Sequence, residues 1–127
     1  MDEKQRLAAG DKVRRAVLGD AHVDRSQRNR TDFNGEFVDF ITRTAWADIW
    51  TRPGLARRDR SLIVIAMMTA LGRWEELKLH LKGALNNGVT PAEIKEVLLQ
   101  AAVYAGVPAA NTAFHIAGEV LKEAGKI

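Results

Sequence analysis

The sequence predicts an all-α protein, and three of its features point that way. Runs of alternating β-branched residues are absent, so no segment has the two-residue period of a half-buried strand. Alanine, leucine, glutamate and lysine dominate the second half, as helices prefer. The three prolines, Pro53, Pro91 and Pro108, each fall at an expected element boundary. A length of 127 residues fits one domain spanning residues 1–127. A chain of this size buries roughly two-thirds of the surface its unfolded state exposes, enough for a real core.

The first helix is expected from Asp2 to Leu18, with Asp2 as N-cap and Gly19 as its stop. Asp20 to Arg30 reads as an irregular loop. A second helix should begin near Thr31 or Asp32, where Phe33, Phe37, Phe40 and Ile41 fall on one stripe at helical spacing. It continues through Trp46, Ile49 and Trp50, with a break near Arg43. Arg52-Pro53-Gly54 is a turn.

Asp59 or Ser61 suits the cap of the next helix, which carries Leu62, Ile63, Ile65, Ala66, Met67, Thr69 and Ala70 before Gly72. It is apolar nearly all round, so a central, buried position is expected. Trp74 to Asn87 forms another helix, with Leu77, Leu81, Ala84 and Leu85 on one face and Gly88 as its stop. Thr90-Pro91-Ala92-Glu93 is the clearest helix start. Threonine caps, proline takes the first position, and glutamate completes a capping box. That helix carries Ile94, Val97, Leu98 and Ala101 and stops near Gly106. Pro108 opens the last helix, with Ala110, Ala113, Phe114, Ala117, Val120 and Leu121 facing inward. The alanines of the last two helices allow close approach of helix axes, inside one subunit or between subunits.

Composition excludes several function classes. There is no cysteine, so disulfide scaffolds, zinc–thiolate sites, iron–sulfur sites and thiol redox chemistry are ruled out. No apolar run follows Met1-Asp2-Glu3-Lys4, so a secretory leader is not expected. Leu62 to Gly72 is too short to cross a bilayer, so no membrane partner is expected. The net charge of +3 is weak and lysine and arginine form no long run, which argues against a nucleic-acid partner. The distribution says more. Residues 1–60 carry 13 basic and 10 acidic side chains, and 11 of the 12 arginines lie at or before Arg60. Arginine suits planar capture of carboxylates, so such a cluster near a pocket fits an acidic small molecule. A solvated surface laced with ion pairs fits the same distribution.

Glu76 and His80 lie four apart on the Trp74–Asn87 helix, one turn from each other. A carboxylate there can hold the imidazole's tautomer and raise its basicity, as a general acid–base histidine requires. His80 also borders Leu77, Leu81 and Ala84, at the edge of the buried stripe. A surface Glu–His pair of little energetic value has the same spacing. His115 lies among alanines, with Asn111 and Glu119 four residues to either side, and is a second candidate acid or an interface histidine. His22 falls in the expected loop beside Asp20 and Asp24. No zinc-protease, EF-hand, P-loop, dinucleotide or serine-hydrolase motif is present, and no local spacing supports a metal. Trp46 and Trp50 have core spacing, with one free to edge a cavity. Arg57, Arg58 and Arg60 precede the apolar helix, where a helix dipole and added charge favour an anion.

Trp50-Thr51-Arg52-Pro53-Gly54-Leu55, Arg60-Ser61-Leu62 and Glu75-Glu76-Leu77-Lys78-Leu79-His80 together resemble the γ-carboxymuconolactone decarboxylase family. So do Asn86-Asn87-Gly88-Val89-Thr90, Glu93-Ile94-Lys95-Glu96-Val97 and Pro108-Ala109-Ala110-Asn111. In the first half, Arg14 through Val23 and Asp32 through Phe37 match as well. The wider superfamily is alkylhydroperoxidase D-like, an all-helical, oligomeric fold whose peroxidase members carry C-x-x-C-x-x-x-H. Here His80 holds the histidine position, while Arg73 and Glu76 stand where the cysteines would be. Thiol peroxidase chemistry is thereby excluded.

The resemblance implies decarboxylation of 4-carboxymuconolactone to the β-ketoadipate enol-lactone, in the protocatechuate branch of the β-ketoadipate pathway. It also implies a homohexamer acting on a small dicarboxylate lactone, and the absence of cysteine fits a reducing, cytoplasmic setting. Such a substrate supplies its own electron sink, so no cofactor and no metal are expected. The chemistry needs two carboxylates held, a dienolate oxygen stabilised and one proton delivered to carbon. On that basis His80 is the expected proton or hydrogen-bond donor and Glu76 its orienting partner. Arg52 and Arg60 would hold the carboxylates, Trp50 would wall the ring, and His115 is a reserve acid. A related cofactor-free decarboxylase or isomerase on another lactone, and a non-catalytic helical binding oligomer, are the alternatives.

Overall fold

The computed structural model describes all 127 residues, as helices joined by short turns with no strand. The chain divides into two compact units, Met1–Ala56 and Arg57–Ile127.

In the first unit, α1 spans Glu3–Leu18. Asp2 caps it in a reciprocal box with Gln5, the two bonds measuring 2.8 and 3.0 Å. Gly19 takes φ +90°, open to glycine alone at little cost, and turns the chain into a second helix. This α2, Asp20–Arg28, replaces the expected loop. Its one buried side chain is Val23, so nine polar-rich residues show no apolar stripe to read. Asp20 in its first turn and Arg25 and Arg28 in its last complement the helix dipole. Thr31 and Asn34 exchange bonds of 2.8 and 3.3 Å, which delays α3 until Gly35–Ile41. The expected break near Arg43 does not occur. Instead α3 widens without interruption into a π-helical segment, Thr42–Trp50.

That segment packs on α1. The closest approach is at Gly10, where a Cβ would lie 2.3 Å from the Thr42 carbonyl oxygen. Val13, Val17, Leu18, Val23, Trp46 and Trp50 form the buried apolar set of this unit. The phenylalanine stripe faces solvent, with Phe33 98% exposed and Phe37 63%.

The second unit holds α4 (Arg57–Leu71), α5 (Trp74–Asn86), α6 (Pro91–Tyr104) and α7 (Val107–Glu123). Helix α4 packs on the other three, and α7 packs on α5 and α6. Ile65, Leu77, Leu81, Ile94, Leu98, Ala113 and Val120 are central to its core. Thr90 and Glu93 form the capping box the sequence announces, with bonds of 3.0 and 3.2 Å.

Two expectations for α4 are corrected. It begins at Arg57, so Asp59 sits in its first turn and Ser61 lies inside, buried, accepting 2.9 Å from Asn87 Nδ2. It is also not buried all round. Ser61, Ile65 and Thr69 form the buried stripe, while Ile63, Met67 and Leu71 are 40–62% exposed. The exposed side joins α6 in an apolar groove of about 440 Å³, lined by Leu62, Met67, Val97 and Tyr104 among others. Phe114, expected inside, is 38% exposed. Ala101, Ala110, Ala113 and Ala117 are buried within this unit, so much of the alanine-rich surface serves packing inside one chain. No helix is long and apolar enough to cross a membrane.

Candidate functional site

His80 lies on α5, held by its neighbours. Leu77 and Leu81 are fully buried, and the helix turn between them places His80 at the core's edge, half-buried, with Nδ1 sealed from solvent. Glu76, one turn earlier, is exposed. The i,i+4 register keeps the two side chains neighbours, about 5–6 Å apart at Cβ.

Arg60 stands in the first turn of α4, half-buried, one residue before buried Ser61. Its neighbour Arg58 pairs with Asp59 at 3.3 Å and with Glu93. The Arg58 guanidinium, helped by the Thr90 backbone N–H, holds the Glu93 carboxyl down at about 2. Of the three arginines before the apolar helix, Arg58 therefore has its carboxylate within the fold.

Trp50 and Arg52 belong to the first unit. Trp50 is buried and stacks on Trp46, ring centroids 5.1 Å apart with planes 28° from parallel. Arg52 is exposed, in the turn that follows the π-helical segment. His115 is on the surface of α7, with 78% of its side chain exposed, 3.2 Å from Glu119. An exposed pair of that kind contributes about 0–1 kcal/mol. His22 stands half-buried on α2, not in a loop. Nowhere do three or more histidine, aspartate or glutamate side chains converge as metal ligands.

The buried cation of the first unit is a residue that the charge count does not single out. Arg14, on α1, is 9% exposed. A signal for it lay in register: Gly10, Val17 and Leu18 are its i−4, i+3 and i+4 neighbours, and all are buried. Arg15, the next residue, collects Asp11, Asp20 and Asp24 at 2.8–3.2 Å.

Residues 35–119 match the model of the carboxymuconolactone decarboxylase family. The chain is 51% identical over 125 residues to the 4-carboxymuconolactone decarboxylase of Acinetobacter baylyi, covering 98% of this chain and 93% of that protein. It is 42% identical over 114 residues to the nitrosuccinic acid decarboxylase of Metarhizium robertsii, covering 90% and 80%. A 48-residue 4-carboxymuconolactone decarboxylase sequence from Pseudomonas putida is 67% identical along its whole length and covers 38% of this chain.

Proposed function

Because this chain belongs to the carboxymuconolactone decarboxylase family, we propose that it is a carboxy-lyase that converts 4-carboxymuconolactone to the β-ketoadipate enol-lactone. The carrying observation is the 51% identity to a named decarboxylase along nearly the whole length of both chains. The reaction belongs to the protocatechuate branch of the β-ketoadipate pathway, and we infer that the protein works in the cytoplasm, a reducing setting that its lack of cysteine fits.

The reaction breaks the bond between the ring carbon and its carboxylate. The electron pair moves through the ring double bond to the lactone carbonyl oxygen, and carbon dioxide leaves. A dienolate remains, and one proton added to carbon completes the product. His80, half-buried at the edge of an apolar core, is suited to give that proton or to hydrogen-bond the dienolate oxygen. Glu76 orients the imidazole from one turn below. Arg52 and Arg60 hold carboxylates, Trp50 walls the lactone ring, and His115 is the reserve acid. The substrate supplies the electron sink, so no cofactor or metal takes part.

The working form is a homohexamer. Support comes from the apolar surface a single chain leaves open: Phe33 and Phe37 before and on α3, Met67 and Leu71 on α4, Val103 and Tyr104 on α6. Large exposed apolar patches mark interaction surfaces.

Loss of 4-carboxymuconolactone, followed by ultraviolet absorbance with and without exhaustive EDTA treatment, tests the activity. Turnover unaffected by the chelator is the expected result. No turnover of the lactone, with turnover of nitrosuccinate or another dicarboxylate, would move the protein to a different substrate.

A further inference from the structure

Arg14 is a cation without a counter-ion of its own. Its Nη2 donates to Ser26 Oγ at 3.1 Å, while Nη1 is sealed from solvent and meets no acceptor. It forms no ion pair. Asp11, the acid whose charge acts on it, is itself bound to Arg15 at 2.9 Å. Burial, the largest influence on it, pushes the Arg14 guanidinium below its usual range. Leaving a charge desolvated and unmatched is costly, and replacing it by an apolar side chain is often neutral or stabilising. A buried polar group left unsatisfied calls for a reason, and a ligand that completes it is one.

Guanidinium edges match carboxylates in shape and charge. We propose that Arg14 is a substrate-binding residue, with Nη1 held for an oxygen of the carboxylate that the substrate retains through the reaction. This rests on the dicarboxylate-lactone reading above. The choice between the two carboxylates follows from the chemistry. The departing group must give up its negative charge to the dienolate, so a buried cation on it, unlike exposed Arg52 or half-buried Arg60, would hold the ground state most strongly and slow the step. The retained carboxylate keeps its charge throughout, and a cation there gives uniform binding.

The test is Arg14→Met, with Arg14→Lys beside it. Two readouts apply: steady-state kinetics on 4-carboxymuconolactone, and calorimetric binding of its ring-saturated analogue, which lacks the double bond and cannot decarboxylate by this route. Arg14→Met should raise KM and weaken analogue binding by about ten- to a hundredfold, the loss of one charge-assisted hydrogen bond, with kcat changed far less. Its thermal midpoint without ligand should be unchanged or higher. Arg14→Lys should fall between it and wild type in affinity. Unchanged KM and analogue affinity in folded Arg14→Met overturns the assignment. So does an unfolded Arg14→Met paired with an Arg14→Lys of wild-type KM, because Arg14 is then structural. If wild type neither turns over the lactone nor binds the analogue, the substrate reading fails. Arg14 is then read by the thermal response to succinate. Stabilisation of wild type that Arg14→Met loses upholds a carboxylate site, and no response in wild type overturns it.

Discussion

At the scale of single residues, His80 and Glu76 divide one task unequally. Proton delivery by a placed side chain is worth on the order of 10²–10⁴ in rate. His80→Ala should lower turnover by about that factor, and α5, which tolerates alanine well, should keep its circular dichroism. Glu76→Gln should cost less, because Glu76 is exposed and acts through the imidazole. Stopped assays on both variants check the order. Glu76→Gln proving the more damaging would make the carboxyl group the donor. Normal turnover in both would leave His115 as the acid to test, against its surface pairing with Glu119. Arg52 and Arg60 make a second residue-scale expectation. Replacing either with alanine should raise KM roughly ten- to a hundredfold, the loss of a charge-assisted hydrogen bond. Unchanged kinetics in both would return them to the protein surface.

At the scale of elements, two contacts between helices carry sharp consequences. Gly10 lets α1 lie against the π-helical segment. Alanine at a helix interior normally gains about 1 kcal/mol over glycine. Here its Cβ would meet the Thr42 carbonyl oxygen at 2.3 Å, and backbone cannot swing aside as a side chain can. The clash should win, so Gly10→Ala is expected to destabilise the protein by about 1–3 kcal/mol. A urea midpoint at or above wild type would show that the segment shifts freely.

The second contact joins the starts of α4 and α6 through Arg58 and Glu93. The Glu93 carboxyl is held at about 2 in the folded protein, against 4.5 ordinarily. A lowered folded-state value means the unfolded chain binds the proton more tightly. The contribution is therefore present above pH 4.5 and is lost as pH falls toward 2. Thermal midpoints of wild type and Glu93→Gln should differ at pH 7 and converge near pH 2. A gap that persists unchanged at pH 2 would show that the Glu93 charge is not its source.

At the scale of the whole molecule, exposed apolar area is the feature a lone chain leaves unresolved. Phe33 is 98% exposed, Tyr104 85% and Val103 79%. Three such side chains in water favour association, since burial of apolar surface stabilises by roughly 25 cal/mol per Å². Light scattering should find a mass several times 14.0 kDa, with six copies expected. A stable 14.0 kDa species at micromolar concentration would remove the hexamer and leave those side chains unexplained.

The sequence by itself determined the helical class, the capped starts at Asp2 and Thr90, the glycine stops at Gly19, Gly72 and Gly88, and the family. Each of these is local, written in backbone freedom, in side chains that satisfy the first amide groups, or in residue identity along the chain. His80 at the edge of a buried stripe was legible for the same reason, because Leu77 and Leu81 fix the face of α5. Only tertiary structure decided the rest. Helix α2 forms on a single buried valine, too little for a periodicity. The π-helical widening has no composition of its own and meets α1 where Gly10 permits contact. Which face of apolar α4 is covered depended on the helices packed against it, not on its own residues. That Arg14 is buried without an ion pair, while adjacent Arg15 collects three carboxylates from two helices, was settled by packing. Charge partners are assigned in space, and a sequence lists charges without saying which of them meet.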